Sequence, residues 1–249
     1  MQCPGQDSRY WDGEAVFEAS CPECGRVLEF FKDDNARKCG KCGHKVLNPR
    51  IDFGCASYCP YAAQCLGELP PELIAKKQEL LKERSAVEMK KYFENDFKRI
   101  GHATRVARLV DQIGGLVMEN EAGDYNPAVA GIAAYLHDIG IKEAERKFNS
   151  SSPKYQHQEG PPVAREILAG LEANEGIVEE VCDIIGHHHN PGPDETMNFK
   201  VLYDADLIVN LEEKQKESSS DQEHLEQIVR NSFLTSEGAE VARKTFLKT

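Results

Sequence analysis

Nine cysteines and eight histidines hold most of the metal- and proton-handling capacity of this 249-residue chain, and their spacing sorts them into two groups. Cys21-x2-Cys24 and Cys39-x2-Cys42 are two knuckles, with a glycine after each second cysteine. Each knuckle bends the backbone so that two thiolates point to one centre. Four thiolates suit tetrahedral Zn at roughly 2.3 Å, a closed geometry with no open position. His44 is a fifth candidate, but four cysteines leave it no vacancy. Cys55, Cys59 and Cys65 leave an ion one ligand short, and Cys3 is the unassigned cysteine nearby in sequence. Cys3, Cys55, Cys59 and Cys65 therefore form a second candidate site, for Zn or an iron–sulfur cluster. Cys182, in the apolar run Val181–Ile185, reads as core.

Six of the histidines fall between His102 and His189. His102 lies in GHATRVARLV, His137-Asp138 ends AGIAAYLHDIG, and His157 opens HQEGPPVAREIL. His187-His188-His189 follow, then Asp206 in KVLYDADLIVNL. Imidazole and carboxylate together bind Zn, Mn, Fe, Co or Ni, and ligands on separate helices can converge inside a bundle. His137 and Asp138 come directly after the apolar run Ala130–Leu136. A buried Asp beside a buried His is costly unless paired or metal-bound.

The four-cysteine spacing resembles a zinc ribbon. The order and context of the His/Asp elements resemble the HD superfamily of metal-dependent phosphohydrolases, over residues 86–249 and including the closing SEGAEVARKTFL segment. That resemblance implies a basic metal site of His102, His137, Asp138 and Asp206. The wider-site branches of the superfamily, the HD-GYP phosphodiesterases and the diadenosine-tetraphosphate hydrolases, imply a second ion. His157, His187 and His188 would complete it, with Asp138 bridging the two. His187 and His188 are assigned ahead of the substitute His189 because Ile184 precedes His187 in an Ile-x-x-His step. Asp206 is preferred to Asp204 because it follows Ala205 and precedes a Leu-Ile-Val run. Two features depart from the relatives. Ile141 stands where many of them carry Lys after His-Asp-Ile-Gly, with Lys142 next. Asn190-Pro191-Gly192-Pro193 follows the histidines in place of a Gly-Tyr-Pro signature, which disfavours cyclic di-GMP hydrolysis.

The activity implied is hydrolysis of a phosphoester or phosphoanhydride in a nucleotide-like small molecule by a metal-activated hydroxide, with Asp138 as the catalytic residue. Two metals roughly 3.5–4 Å apart would lower the pKa of a bridging water and clamp the phosphoryl oxygens. No substrate-binding residue is indicated. Two other functions use the same residues: a di-iron HD oxygenase, and a regulatory nucleotide-binding module whose cysteine region docks a protein partner.

These residues need elements to position them. Residues 1–70 are rich in Cys, Gly and turn pairs, with strand-like alternation at 14–31 and 44–53. Leu69-Pro70-Pro71 then interrupts the chain, and everything after it reads helical. Helices are expected from about Glu72 to Lys98 and over His102–Met118, Asn126–Asp138, Gly160–Glu172, Gly176–His187, Asn198–Glu213, Gln222–Phe233 and Ser236–Leu247. The expected fold is mainly α: a helical HD-type bundle (71–249) behind a small zinc-ribbon-like β/loop module (1–70). Hydrophobic residues make up 40% of the chain, enough for a packed core. Of the net charge of −12, residues 1–70 carry −2 and the remainder −10. An acidic body repels phosphate backbones, so a small phosphorylated substrate is expected rather than nucleic acid. No apolar run is long enough to span a membrane, and the start lacks a basic flank and apolar segment of the secretory type. The cysteines are accordingly read as metal ligands in a reducing cytoplasm.

Overall fold

A computed structural model describes residues 16–31, 34, 36–49, 71–120, 124–217 and 222–247. The second candidate cysteine site, Cys3, Cys55, Cys59 and Cys65, lies outside the described residues. The chain divides into two compact units, residues 1–78 and 79–249.

In the first unit, β1 (Val16–Ser20) and β2 (Val27–Phe31) form one antiparallel hairpin, and β3 (Ala36–Lys38) and β4 (Lys45–Leu47) form another. Strand alternation decides what faces inward. Phe17 pairs with Phe30 across the first hairpin, and their rings stack with centroids 5.7 Å apart. Among the described residues, Phe17, Phe30 and Val46 bury themselves together with Cys21 and Cys39, with Ala19, Cys24 and Leu28 packed against them. Both knuckles use the same bonds. Gly25 N–H donates to Cys21 O at 2.9 Å, and Gly43 N–H to Cys39 O at 2.8 Å. The two glycines sit at φ of 69° and 78°, a left-handed conformation that costs glycine little. Asn48 Nδ2 donates to the carbonyls of Asp34 and Phe31, tying the end of the second hairpin to the first.

The rest of the described chain is helical. α1 (Pro71–Phe93) crosses the boundary between the units, and α2 (Phe97–Glu119) follows. Val106, Val110, Ile113 and Val117 recur on one buried face of α2, the spacing of an amphipathic helix. Asp96 caps its start by accepting from Arg99 N–H. α3 (Pro127–Leu136) has Asn126 as its N-cap and Pro127 in its first turn. It is apolar on nearly every side and buried accordingly, packed by α2 and by two later helices, α6 (Glu175–His187) and α7 (Met197–Glu217). α4 (Ile141–Phe148), α5 (Pro153–Gly170) and α6 pack in succession. α8 (Gln222–Asn231) and α9 (Ser236–Phe246) close the chain, α9 against α2 and α7. No helix among the described residues is long and apolar enough to cross a membrane.

Two elements differ from expectation. α4 is absent from the sequence reading, and α5 starts at Pro153 instead of Gly160. Pro161 and Pro162 lie inside α5, where an interior proline costs about 3 kcal/mol. Tertiary packing outweighs that cost. A methyl group on Gly140 would stand 2.5 Å from Gln156 O and from Gly160 N, and one on Gly160 would stand 2.6 Å from Ile185 Cγ2. The start of α4 therefore meets the middle of α5 at backbone distance, and the Ile185 side chain of α6 packs onto Gly160. That contact brings His157 beside the ends of α3 and α6.

Candidate metal centre

The cysteine cluster is built by the two knuckles alone. Cys21 Sγ stands 3.6 Å from Cys42 Sγ, and Cys24 Sγ 3.6 Å from Cys39 Sγ. All four sulfurs lie within 4.8 Å of one another. A tetrahedral ion with bonds near 2.3 Å needs sulfurs about 3.8 Å apart. Backbone N–H groups of Cys42 and Lys41 draw the Cys39 thiol down to about 6, towards the thiolate that binds metal. The cluster fits a zinc-ribbon-like module.

In the helical unit, His102 extends from α2, His137 and Asp138 from the end of α3, His157 from α5, His188 and His189 from the end of α6, and Asp206 from α7. His102 Nε2 lies 3.0 Å from Asp206 Oδ1, 3.3 Å from His137 Nε2 and 3.9 Å from Asp138 Oδ2. His137 Nε2 lies 3.5 Å from Asp138 Oδ2 and 3.6 Å from Asp206 Oδ1. The other Asp138 oxygen, Oδ1, is 3.9 Å from His188 Nε2. Asp138 thus faces two groups with its two oxygens. The second group is His157, His188 and His189, whose donor atoms lie within 4.8 Å of one another.

The tautomers are fixed from behind. His137 Nδ1–H donates to Ala134 O at 2.8 Å, and His188 Nδ1–H to Ile185 O at 3.0 Å. Each ring in its neutral form then presents a bare Nε2 to the cluster. His188 Nε2 is fully buried and meets no hydrogen-bond partner among the described residues. Leaving such an atom unpaired costs about 1–3 kcal/mol. A cation accepted between His137, Asp138 and His188 removes that cost, so the residues present fit a metal ion.

Charge divides the two groups. Burial alone would lower the His102 pKa, yet its hydrogen bond to Asp206 and the Asp206 and Asp138 charges prevail and raise it to about 9. Asp206 is pushed up by burial, but the His102 hydrogen bond and the nearby imidazoles hold it well below the usual carboxylate range. Positive charge is strongly favoured at this end. Burial lowers His188, His157 and His189 instead, which favours neutral imidazoles, with His157 Nε2 and His189 Nδ1 facing each other at 3.0 Å. One group is rich in carboxylate and the other in imidazole.

Of the residues expected at the site, His102, His137, Asp138, His157, His188 and Asp206 are brought together and His187 is not. His187 Nδ1 faces Asp183 O at 2.7 Å, and its Nε2 faces both oxygens of Glu195 at 3.2 Å. Both of its nitrogens are turned to these oxygens, and His189 stands with His157 and His188 instead. Asp204 is buried away from the cluster, accepting from Leu234 N–H, Thr235 N–H and the Thr235 hydroxyl. Lys142 turns to the end of α1, donating to Tyr92 O at 2.9 Å and Glu94 at 3.2 Å. Cys182 is a core thiol that burial pushes up. Three partners escaped the sequence reading: Glu213 against His102, Asn210 against Asp206, and Glu195 against His187. Asn210 and Glu213 repeat at i+4 and i+7 from Asp206, a helical stripe that could have marked them.

A helical bundle that gathers histidines and aspartates from five helices defines a class of protein with an internal metal centre. The sequence matches the HD domain family over residues 99–232, more than half of the chain, and the chain belongs to that family. The matched stretch contains all the His and Asp residues of both groups. The chain is also similar to the crystal structure of a predicted HD superfamily hydrolase from an uncultured Thermotogales bacterium. That protein is 19% identical, with a TM-score of 0.46 over 67% of this chain and 83% of its own. No curated protein matches the chain.

Proposed function

We propose that this protein is a metal-dependent phosphohydrolase with a dinuclear site, acting on a phosphoester or phosphoanhydride of a small, nucleotide-like molecule. The observation that carries the reading is Asp138, whose two oxygens face two separate sets of histidine nitrogens. His102, His137 and Asp206 hold the first ion. His157, His188 and His189 hold the second, and Asp138 is shared. Divalent Fe, Mn, Co, Ni or Zn at these positions supplies Lewis-acid polarisation of phosphoryl oxygens and acidifies water. The protein fixes the donor atoms in advance. Carbonyl acceptors lock the His137 and His188 tautomers, and the apolar wall of α3 excludes bulk water from behind the site. Membership of the HD family favours a phosphorylated substrate, and the net charge of −12 favours a small one over a polyanion. The four-cysteine cluster holds Zn as a structural ion.

Asp138→Ala tests the assignment. Loss of Asp138 removes a donor from both ions, so the folded variant should lose bound metal and lower turnover by at least about 100-fold. Turnover is measured on a panel of phosphoesters and nucleotides with each metal in turn. Near-wild-type turnover by folded Asp138→Ala protein would overturn the catalytic role.

A further inference from the structure

Glu213 stands outside the donor set and yet is bonded to it. α7 presents Asp206, Asn210 and Glu213 at i, i+4 and i+7, a single stripe on a helix that packs against α2. Asn210 Nδ2 donates to Asp206 Oδ2 at 2.9 Å, which leaves Oδ1 directed to His102 and His137. Glu213 Oε1 meets His102 Nδ1 at 3.1 Å, on the side of the ring away from the cluster. The same oxygen is held by Arg105 Nη2, one turn along α2 from His102.

The Arg105–Glu213 pair is too exposed to matter much for stability. Its side chains are 38% and 26% accessible, so solvent screens the pair. Its placement behind a metal-facing imidazole is where it acts. We propose that Glu213, anchored by Arg105, is the positioning residue of the His102 ion site. As acceptor of the Nδ1 proton it would leave Nε2 as the lone-pair donor once an ion replaces the proton shared with Asp206, and its charge would strengthen the ring as a donor. In the second group, His188 Nδ1 rests instead on a neutral carbonyl, Ile185 O, and no carboxylate hydrogen-bonds His157 or His189 among the described residues. The effect of Glu213 is therefore confined to one of the two ions. This inference rests on the metal reading given above.

The test uses full-length protein stripped of metal and titrated calorimetrically with Mn2+ alone. Glu213→Gln keeps the shape and removes the charge. In a His157→Ala background, where the first ion is isolated, Glu213→Gln should weaken Mn2+ binding by about 10–100-fold. Arg105→Met should weaken it by less, because Glu213 remains. In a His102→Ala background, where the remaining ion belongs to the second group, Glu213→Gln should leave affinity unchanged. A purely structural residue would not separate the two backgrounds. Equal affinity with and without Glu213→Gln in the first background would overturn the inference, as would equal losses in both. If His157→Ala fails to fold, His189→Ala isolates the first ion instead. Wild-type protein that folds and takes up no Mn2+ at the histidine groups would remove the metal reading itself, a result separable from the other two.

Discussion

Three consecutive histidines are chemically alike, and only the end of α6 separates their roles. His187 is the last helical residue, so its ring follows the helix surface, stacking on Phe199 at 4.7 Å and facing Glu195. His188 caps the helix with right-handed helical backbone angles and lies four residues after the buried Ile184, so it stays on the buried face, and His189 follows in the turn beyond it. The Ile184-x-x-His step points to His187, one residue before the position that the buried face reaches at His188. His102, His137, Asp138 and Asp206 were marked in the sequence by the resemblance to the HD pattern, and the fold brings the four together. Glu213 was not, because its partner is set by how α7 lies against α2. His189→Ala should remove one ion, or weaken it by at least about 10-fold, while His187→Ala keeps both. Metal analysis after anaerobic purification, followed by Mn2+ titration, distinguishes them. Loss of an ion from His187→Ala with full retention in His189→Ala would reverse the assignment.

At the level of elements, the helical pattern and caps made most of the bundle legible. Asn126-Pro127 and the apolar stripe of α2 are local signals, and the structure uses both. α4 and the first two turns of α5 were missed for the opposite reason, while the stretch from Gly160 was expected as helix. Pro161 and Pro162 argue locally against a helix, and only the contact of Gly140 with α5 makes one worthwhile. That contact also positions His157, next to Gln156, whose carbonyl oxygen faces Gly140. Gly140→Ala places a methyl group against backbone atoms that cannot rotate away, so α4 and α5 must part. Overpacking of this kind costs about 1–3 kcal/mol. Urea unfolding should show a loss in that range, and Mn2+ titration should show the second ion weakened more than the first. Unchanged stability would mean that the glycine contact does not hold α5 in place.

Across the whole molecule, two metal chemistries are kept in separate compact units, and they make different demands on folding. Among its described residues the hairpin unit buries Phe17, Cys21, Phe30, Cys39, Val46 and Asn48, and two of those six are cysteines of the cluster. Hairpins this short are marginal in water, and so small a core cannot offset chain entropy, so metal binding must supply folding free energy. The helical unit has a continuous apolar core running through Val110, Ile113, Ile132, Leu136, Ile184 and Leu202, and needs no thiolate. Cys39→Ser should therefore abolish one bound Zn and unfold the hairpins, while the helical circular dichroism and its thermal midpoint stay close to wild type. Chelators are unsuitable for this comparison because they strip both kinds of site. Cys39 serves better than Cys42 because it is buried in the inner cluster, whereas Cys42 is exposed. Collapse of the helical signal in folded-length Cys39→Ser protein would show that the second unit depends on the first, against the independence that its own core implies.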